Sequence, residues 1–457
     1  MTETRHQALQ YASQNKQRFL AELNELLAIP SISTDDKHKS DMRRAAEWLE
    51  SQLRNLGIKN VQIMPTSKHP IVYGEWLEVV GAPTMLIYGH YDVQPVDPLD
   101  LWQSPPFTPT QRGENLYARG ASDMKGQVMA TLKALESIVN NSRLTVNIKF
   151  LIEGEEEIGS PSLDTFIPEH KDLLFCDFAL NPDAGMIGPD LPTITYALRG
   201  LAYFELWIYG PAHDLHSGTF GGVIHNPAQA LSELIAGMHD EKGTITLPGF
   251  FDKVRKISPK EHAELARLPM NQDYYLEQTG APALWGEPGY IPVERVGARP
   301  TLEVSGFLSG FTGEGTKTVL PAWAMAKIST RLVPDQEPED AHQSLLHYLD
   351  KRAPKDIRFE LKMLQSSSPA IAKIDTMGVR ALSRACETVW GKRPLFSRAG
   401  GSIPIVALIQ KELGAESVLT GFGLPDDNLH APNEKLHLPT WYKGIDTLIN
   451  YLCNLES

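Results

Sequence analysis

Residues 145–160 read TVNIKFLIEGEEEIGS, an apolar run that empties into Glu153, Glu155, Glu156 and Glu157, four carboxylates in five positions. The apolar half demands burial on both faces, as in an interior strand of a parallel sheet. The acidic half opposes burial, because crowded like charges repel and raise one another's pKa. A chain that keeps both halves side by side either solvates the acidic turn or binds cations there. Two further short apolar runs end the same way: TMLIYGH (84–90) in a histidine and DFALNPDAG (177–185) in Asp183. A helical pattern over 124–141, MKGQVMATLKALESIVNN, lies between them. This alternation predicts an α/β domain with a mostly parallel sheet. In such sheets ligands bind beyond the carboxyl ends of the strands.

The remaining patterns divide the chain. Apolar residues at helical spacing predict helices over 5–28 and 41–56, the first ending at Pro30. From about 195 the pattern changes: an extended run at 194–210, a helix at 226–238 and an irregular Pro- and Gly-rich stretch at 248–300. A half-buried strand at 322–334, a helix at 335–353 and a strand at 358–364 follow. Helical patterns at 374–390, 403–413 and 439–455, with a strand at 416–422, return to the first grammar. The expectation is a discontinuous α/β domain, 1–195 and 370–457, interrupted by an α+β insertion at 196–369 that carries an antiparallel sheet. Two or three domains also suit 457 residues at ~150 per domain.

Composition removes several functions. With 43 basic and 56 acidic side chains the formal charge is −13, which argues against nucleic acid or an anionic membrane as partner. No run of ~18 apolar residues is present, so no membrane span is expected. The three cysteines, Cys176, Cys386 and Cys453, are too scattered for a disulfide framework. The N-terminal residues lack the apolar core of a signal peptide, and a cytoplasmic location is the expectation.

Taken singly, the polar residues at the strand ends have ordinary explanations. His90 and Asp92 form a turn pair, or a metal-ligating imidazole with a carboxylate that accepts its second ring N–H. Asp123, in ARGASDMKG, is a helix N-cap or a carboxylate bridging two cations. Asp183 in NPDAG and His430 in NLHAPNEK sit in turn-rich segments, and His216 in HDLHSGTFGG sits in a glycine-rich loop. Together, two histidines, two aspartates and one glutamate at the ends of strands and turns of one domain form the ligand set of a dinuclear site. Nitrogen and oxygen donors without thiolate suit zinc, manganese or cobalt.

The motifs GHYDVQP, ARGASDMKG, EGEEEIGS, NPDAG, DLHSGTFGG, KTVLP, RLVP, GGSIP and HAPNE occur in this order along nearly the whole chain. In combination they resemble the M20 family of metallopeptidases, in its branch of carnosinases and cytosolic non-specific dipeptidases. The resemblance implies that His90, Asp123 and Asp183 hold one metal ion and that Asp123, Glu157 and His430 hold the other. It implies Asp92 as the residue orienting His90 and Glu156 as general base, with Glu155 the alternative if the acidic turn slips by one. The insertion becomes a lid and dimerisation domain, whose His216 polarises the scissile carbonyl across a homodimer interface. Thr318, Arg331 and Ser402 take substrate-binding positions; a guanidinium suits a carboxylate because its fork donates two parallel bonds.

The implied activity is hydrolysis of small peptides by a dipeptidase with two divalent ions per subunit, Zn2+, Mn2+ or Co2+. An aspartate at position 183 accompanies dipeptidases and aminopeptidases in this family. An N-acyl-amino-acid deacylase or a carboxypeptidase of the same family is the alternative. A non-catalytic protein of this fold would lack ligands or base, and none of these residues is missing here.

Overall fold

The computed structural model describes residues 2–141 and 144–455. The chain packs as two compact units, one of Met1–Tyr196, Ala372–Phe396 and Leu408–Ser457, the other of Ala197–Ile371 and Ser397–Ala407.

In the first unit the large sheet runs in the order Lys59–Met64, Ile71–Trp76, Asn147–Glu153, Thr84–His90, Phe178–Asn181, Glu416–Leu419, Thr193–Leu198. The four strands from Asn147–Glu153 to Glu416–Leu419 are mutually parallel, and antiparallel strands flank them on both sides. The apolar runs at 84–90 and 147–153 are buried along almost their whole length, as interior parallel strands must be. His90 stands opposite Glu153 in the ladder, so the strand ends at GH and at the acidic turn share one edge. Lys125–Val139 is buried nearly all round and packs on Leu438–Asn454 and on the N-terminal helices. Gly154 lets the chain leave the sheet tightly: a Cβ there would meet the Tyr91 ring at 2.5 Å. Gly159, at φ 85°, closes the acidic turn in the left-handed region.

The second unit holds a four-stranded antiparallel sheet ordered Thr301–Ser309, Trp323–Leu332, Gly200–Tyr209, Arg358–Ser367. Strict alternation on Gly200–Tyr209 turns Ala202, Phe204, Leu206 and Ile208 inward. They pack with Ala230, Leu231 and Leu234 of the Pro227–Ala236 helix and Ala341, Leu345 and Leu349 of Pro338–Arg352.

Several elements depart from the sequence expectations. The helix expected over 5–28 is two, Thr2–Gln14 and Lys16–Leu27, broken at Asn15. The extended run at 194–210 divides at Arg199 into strands of two different sheets. The stretch 248–300 contains three short helices, Pro259–Leu265, Gln272–Thr279 and Pro292–Gly297. Their Pro and Gly residues mark helix starts and ends, Pro259 and Pro292 in the first turn and Gly280 after the last. Ser402 lies with the second unit, within Ser397–Ala407.

Candidate active site

His90 is the last residue of its strand and is completely buried. Its Nδ1 lies 3.1 Å from the Asp92 carbonyl oxygen and 3.4 Å from Asp92 Oδ1. Both are acceptors, so Nδ1 carries a hydrogen and Nε2 is the nitrogen left to give up its proton to a cation. Nε2 faces Asp123 Oδ1 at 3.2 Å and Asp183 Oδ2 at 4.0 Å. The other oxygen of Asp123, Oδ2, is 3.0 Å from His430 Nε2, which is 3.2 Å from Glu157 Oε2. Two triads result, His90/Asp123/Asp183 and Asp123/Glu157/His430, each with donor atoms within 4.8 Å of one another and with Asp123 in common. Donors bound to one cation at ~2.0–2.1 Å in tetrahedral geometry stand about 3.3 Å apart. The 3.0–3.2 Å separations through Asp123 match that edge, so the residues fit a pair of divalent ions.

The electrostatics point the same way. Burial, together with Asp183, Glu157 and Asp123 and against the pull of His90, pushes the Glu156 carboxyl up to about 9. Burial likewise pushes Asp183 up to about 7, with Asp123 and Glu157 adding to it. Asp123 moves the other way: burial opposes its charge, but hydrogen bonds from His430 and His90 outweigh it. His430 is raised to about 10 by its hydrogen bonds to Asp123 and Glu157. Without a metal the pocket holds Glu156 and Asp183 protonated and His90 and His430 charged around an ionised Asp123, and binding cations displaces protons from such groups.

The acidic turn divides its labour. Glu153 is buried, accepts from Tyr88 Oη (2.7 Å) and Ser160 Oγ (2.8 Å), and is pushed up to about 8 chiefly by burial. Glu155 is buried and saturated: it accepts from His69 N (2.8 Å), Thr66 Oγ1 (2.9 Å), Ser162 Oγ (2.9 Å) and Ser162 N (3.1 Å). Among the described residues no donor is bonded to the Glu156 carboxylate, whose backbone N–H donates to Asp92 Oδ1 at 3.3 Å. Asp92 Oδ2 also accepts from Glu157 N (3.1 Å), so one carboxylate ties the His90 strand end to the acidic turn.

Sequence reasoning passed over two side chains here. Gln94 Nε2 donates to Glu157 Oε2 at 2.7 Å and holds that carboxylate in place. Glu434, 1% exposed, accepts from Arg119 Nη1 (2.9 Å) and from the backbone N–H groups of Gly120 (2.9 Å), Ser122 (3.0 Å) and Asp123 (3.2 Å). Both lie in GHYDVQP and HAPNE, yet nothing local distinguishes them from ordinary turn residues. His430 sits at φ 59°, a region sparsely used by residues other than glycine and one that recurs at functional sites.

In the second unit the structure brings His216 and Thr318 together: His216 pairs with Val319, and Ser217 N donates to the Thr318 carbonyl at 3.1 Å. His216 Nδ1 accepts from Gly218 N at 2.9 Å, which assigns the ring proton of the neutral imidazole to Nε2. Arg331 Nη1 donates to Ser402 Oγ at 3.2 Å, so these two also adjoin.

Residues 86–454 match Peptidase family M20/M25/M40. The Cys-Gly metallodipeptidase DUG1 of Candida albicans is 31% identical over 96% of this chain and 94% of its own length. The human Beta-Ala-His dipeptidase is 30% identical over 95% of this chain and 89% of its own. Among solved structures, an M20 family metallo-carboxypeptidase, Sso-CP2 from Sulfolobus solfataricus, superposes with a TM-score of 0.82 at 33% identity, covering 96% of this chain and 99% of that one. The chain belongs to peptidase family M20/M25/M40 and is a hydrolase of the peptidase class.

Proposed function

We propose that this chain is a dipeptidase that requires two divalent metal ions, Zn2+, Mn2+ or Co2+, held by the two triads. The observation that carries the reading is Asp123, one carboxylate whose two oxygens face two separate histidines at 3.2 and 3.0 Å. The names of the two relatives, both dipeptidases, support the substrate class.

Such a metal pair, once bound, supplies a water acidified to near neutrality and an electrophile for the peptide carbonyl. Glu156 takes the proton of the attacking water and passes it to the leaving amine. Its carboxylate without hydrogen-bond partners supports that role over Glu155, whose oxygens are already occupied. Asp92 keeps His90 in the Nδ1–H tautomer and anchors the turn that carries Glu156. His216 Nε2–H donates to the carbonyl oxygen as negative charge grows on it. In this reading His216 acts across a homodimer interface, and Thr318, Arg331 and Ser402 bind the backbone and carboxylate of the peptide. The protein is proposed to work in the cytoplasm; no described helix is long and apolar enough to cross a membrane.

The likeness to Sso-CP2 favours a second reading, a carboxypeptidase. Assays of metal-loaded protein on Ala-Leu and N-acetyl-Ala-Leu separate the readings. Cleavage of Ala-Leu alone supports the dipeptidase. Release of leucine from the blocked peptide supports the carboxypeptidase, and release of acetate supports an N-acyl-amino-acid deacylase. No cleavage of any free dipeptide, with either Zn2+ or Mn2+, overturns the dipeptidase.

A further inference from the structure

Among the described residues four arginines are buried: Arg119, Arg199, Arg299 and Arg398. Three have a carboxylate partner: Arg119 has Glu434 at 2.9 Å, Arg299 has Glu287 at 2.7 Å, and Arg398 has Glu261. Arg199 has none. It is 9% exposed, and its guanidinium makes only neutral contacts, Nε to the Gly400 carbonyl (2.9 Å) and Nη1 to Thr301 Oγ1 (3.4 Å). Taking an uncompensated cation out of water costs several kcal/mol unless something anionic repays it.

The neighbours of Arg199 deepen the imbalance. Arg331, whose Cα partners in the sheet are Leu201 and Thr301, brings a second guanidinium to the same end of the sheet. Ser402 Oγ couples the two, donating to the Arg199 carbonyl at 2.5 Å and accepting from Arg331 Nη1 at 3.2 Å. Among the described residues neither arginine has a carboxylate oxygen within 4.0 Å. Glu303 acts on Arg199 only from beyond that distance. Burial lowers the Arg199 pKa to about 10, and the like charge of Arg331 adds to it; the group stays charged at neutral pH.

Two further features adjoin the guanidinium. Tyr275, on the Gln272–Thr279 helix, has a buried hydroxyl without a hydrogen-bond partner and lies within electrostatic reach of Arg199. A Cβ on Gly400 would meet Val296 Cγ1 at 2.8 Å and Arg199 Nη2 at 3.2 Å, so only glycine lets the guanidinium lie against this turn.

We infer that Arg199 and Tyr275 complete, with Arg331 and Ser402, a two-guanidinium site for the free C-terminal carboxylate of the peptide substrate. The inference rests on the proposed role of Arg331 and extends it: the anion meets two cations and a phenol rather than one arginine. Planar forks suit a carboxylate, whose two oxygens accept from both at once.

The test measures kcat and KM separately on Ala-Leu and on Ala-Leu amide, with the metal-loaded full chain. Wild type is expected to prefer the acid by about 100-fold, the scale of two charge-assisted bonds. Arg199→Met lowers that acid-over-amide ratio about tenfold, chiefly through KM, and Arg199→Lys falls between the two. Tyr275→Phe lowers it by about threefold, and carries the test by itself should Arg199→Met not fold. If Arg331→Met abolishes the preference while the Arg199 and Tyr275 variants keep it in full, the inference fails and the role of Arg331 stands. If wild type hydrolyses acid and amide equally, the carboxylate role of Arg331 fails and takes the inference with it.

Discussion

Glu156→Gln and Glu155→Gln change adjacent residues by one atom each, and their environments dictate opposite outcomes. The Glu156 carboxylate has no hydrogen-bond partner among the described residues and belongs to neither metal triad. Burial and the neighbouring acids push it up to about 9, so in the metal-free chain at neutral pH the amide replaces a neutral acid and breaks no bond. The variant should fold at wild-type stability or slightly above and keep both ions. Loss of a general base costs about 100- to 10,000-fold in rate, or roughly 3–5 kcal/mol of barrier at 1.36 kcal/mol per decade. Glu155 presents four accepted bonds, two of them from backbone N–H groups of His69 and Ser162. An amide turns one acceptor into a donor facing another donor, which costs about 1–3 kcal/mol of stability. The assay pairs kcat on Ala-Leu and metal content with chemical denaturation of each variant. Turnover of Glu156→Gln within tenfold of wild type, with both ions retained, refutes the assignment. An inactive but fully stable Glu155→Gln shifts the base by one residue.

Three further outcomes follow from the site and its surroundings. Asp123→Asn removes an anionic donor from both triads at once, so affinity for both ions should fall by more than about 100-fold, read as metal content after dialysis. His216→Ala leaves the sheet pairing of its segment intact and should fold normally, while kcat falls about 100- to 1000-fold for loss of one oxyanion donor; full activity removes His216 from the mechanism. Burial lifts the Asp446 carboxyl to about 6 from an ordinary 3.8. The folded chain then holds that proton more tightly than the unfolded one, so the group's contribution is fully present below pH 3.8 and is lost as pH rises through about 6. Asp446→Asn should therefore gain about 1–3 kcal/mol by denaturant unfolding at pH 8 and little at pH 4.

Much of this was legible along the chain because the signals are local. An apolar run of strand length ending in His90, or in the acidic turn, reports a buried strand and its polar end together. The flanking helices at 41–56, 124–141 and 439–455 announce themselves by spacing alone. The irregular stretch at 248–300 did not, because its helices are too short to show a period. The strands Lys59–Met64 and Ile71–Trp76 were passed over for a related reason: the first is half-exposed and lacks clean alternation.

What the sequence by itself determined is the kind of chemistry: nitrogen and oxygen donors at strand ends, an acidic chain, no thiolate cluster. Only the tertiary structure decided which groups meet. Asp123 reaches His90 across 33 positions of chain and His430 across 307, and Glu434 cradles the Asp123 loop across 311. Whether Glu155 or Glu156 is spoken for depends on Thr66 and His69, 86 and more residues away. Arg199 looks like any strand-end arginine until the fold sets it beside Arg331 and Tyr275 with, among the described residues, no carboxylate oxygen within 4.0 Å. Residue type sets what a side chain can donate, accept or carry; burial and partner decide which of those it does. Both are properties of contacts that close loops of about thirty to three hundred residues.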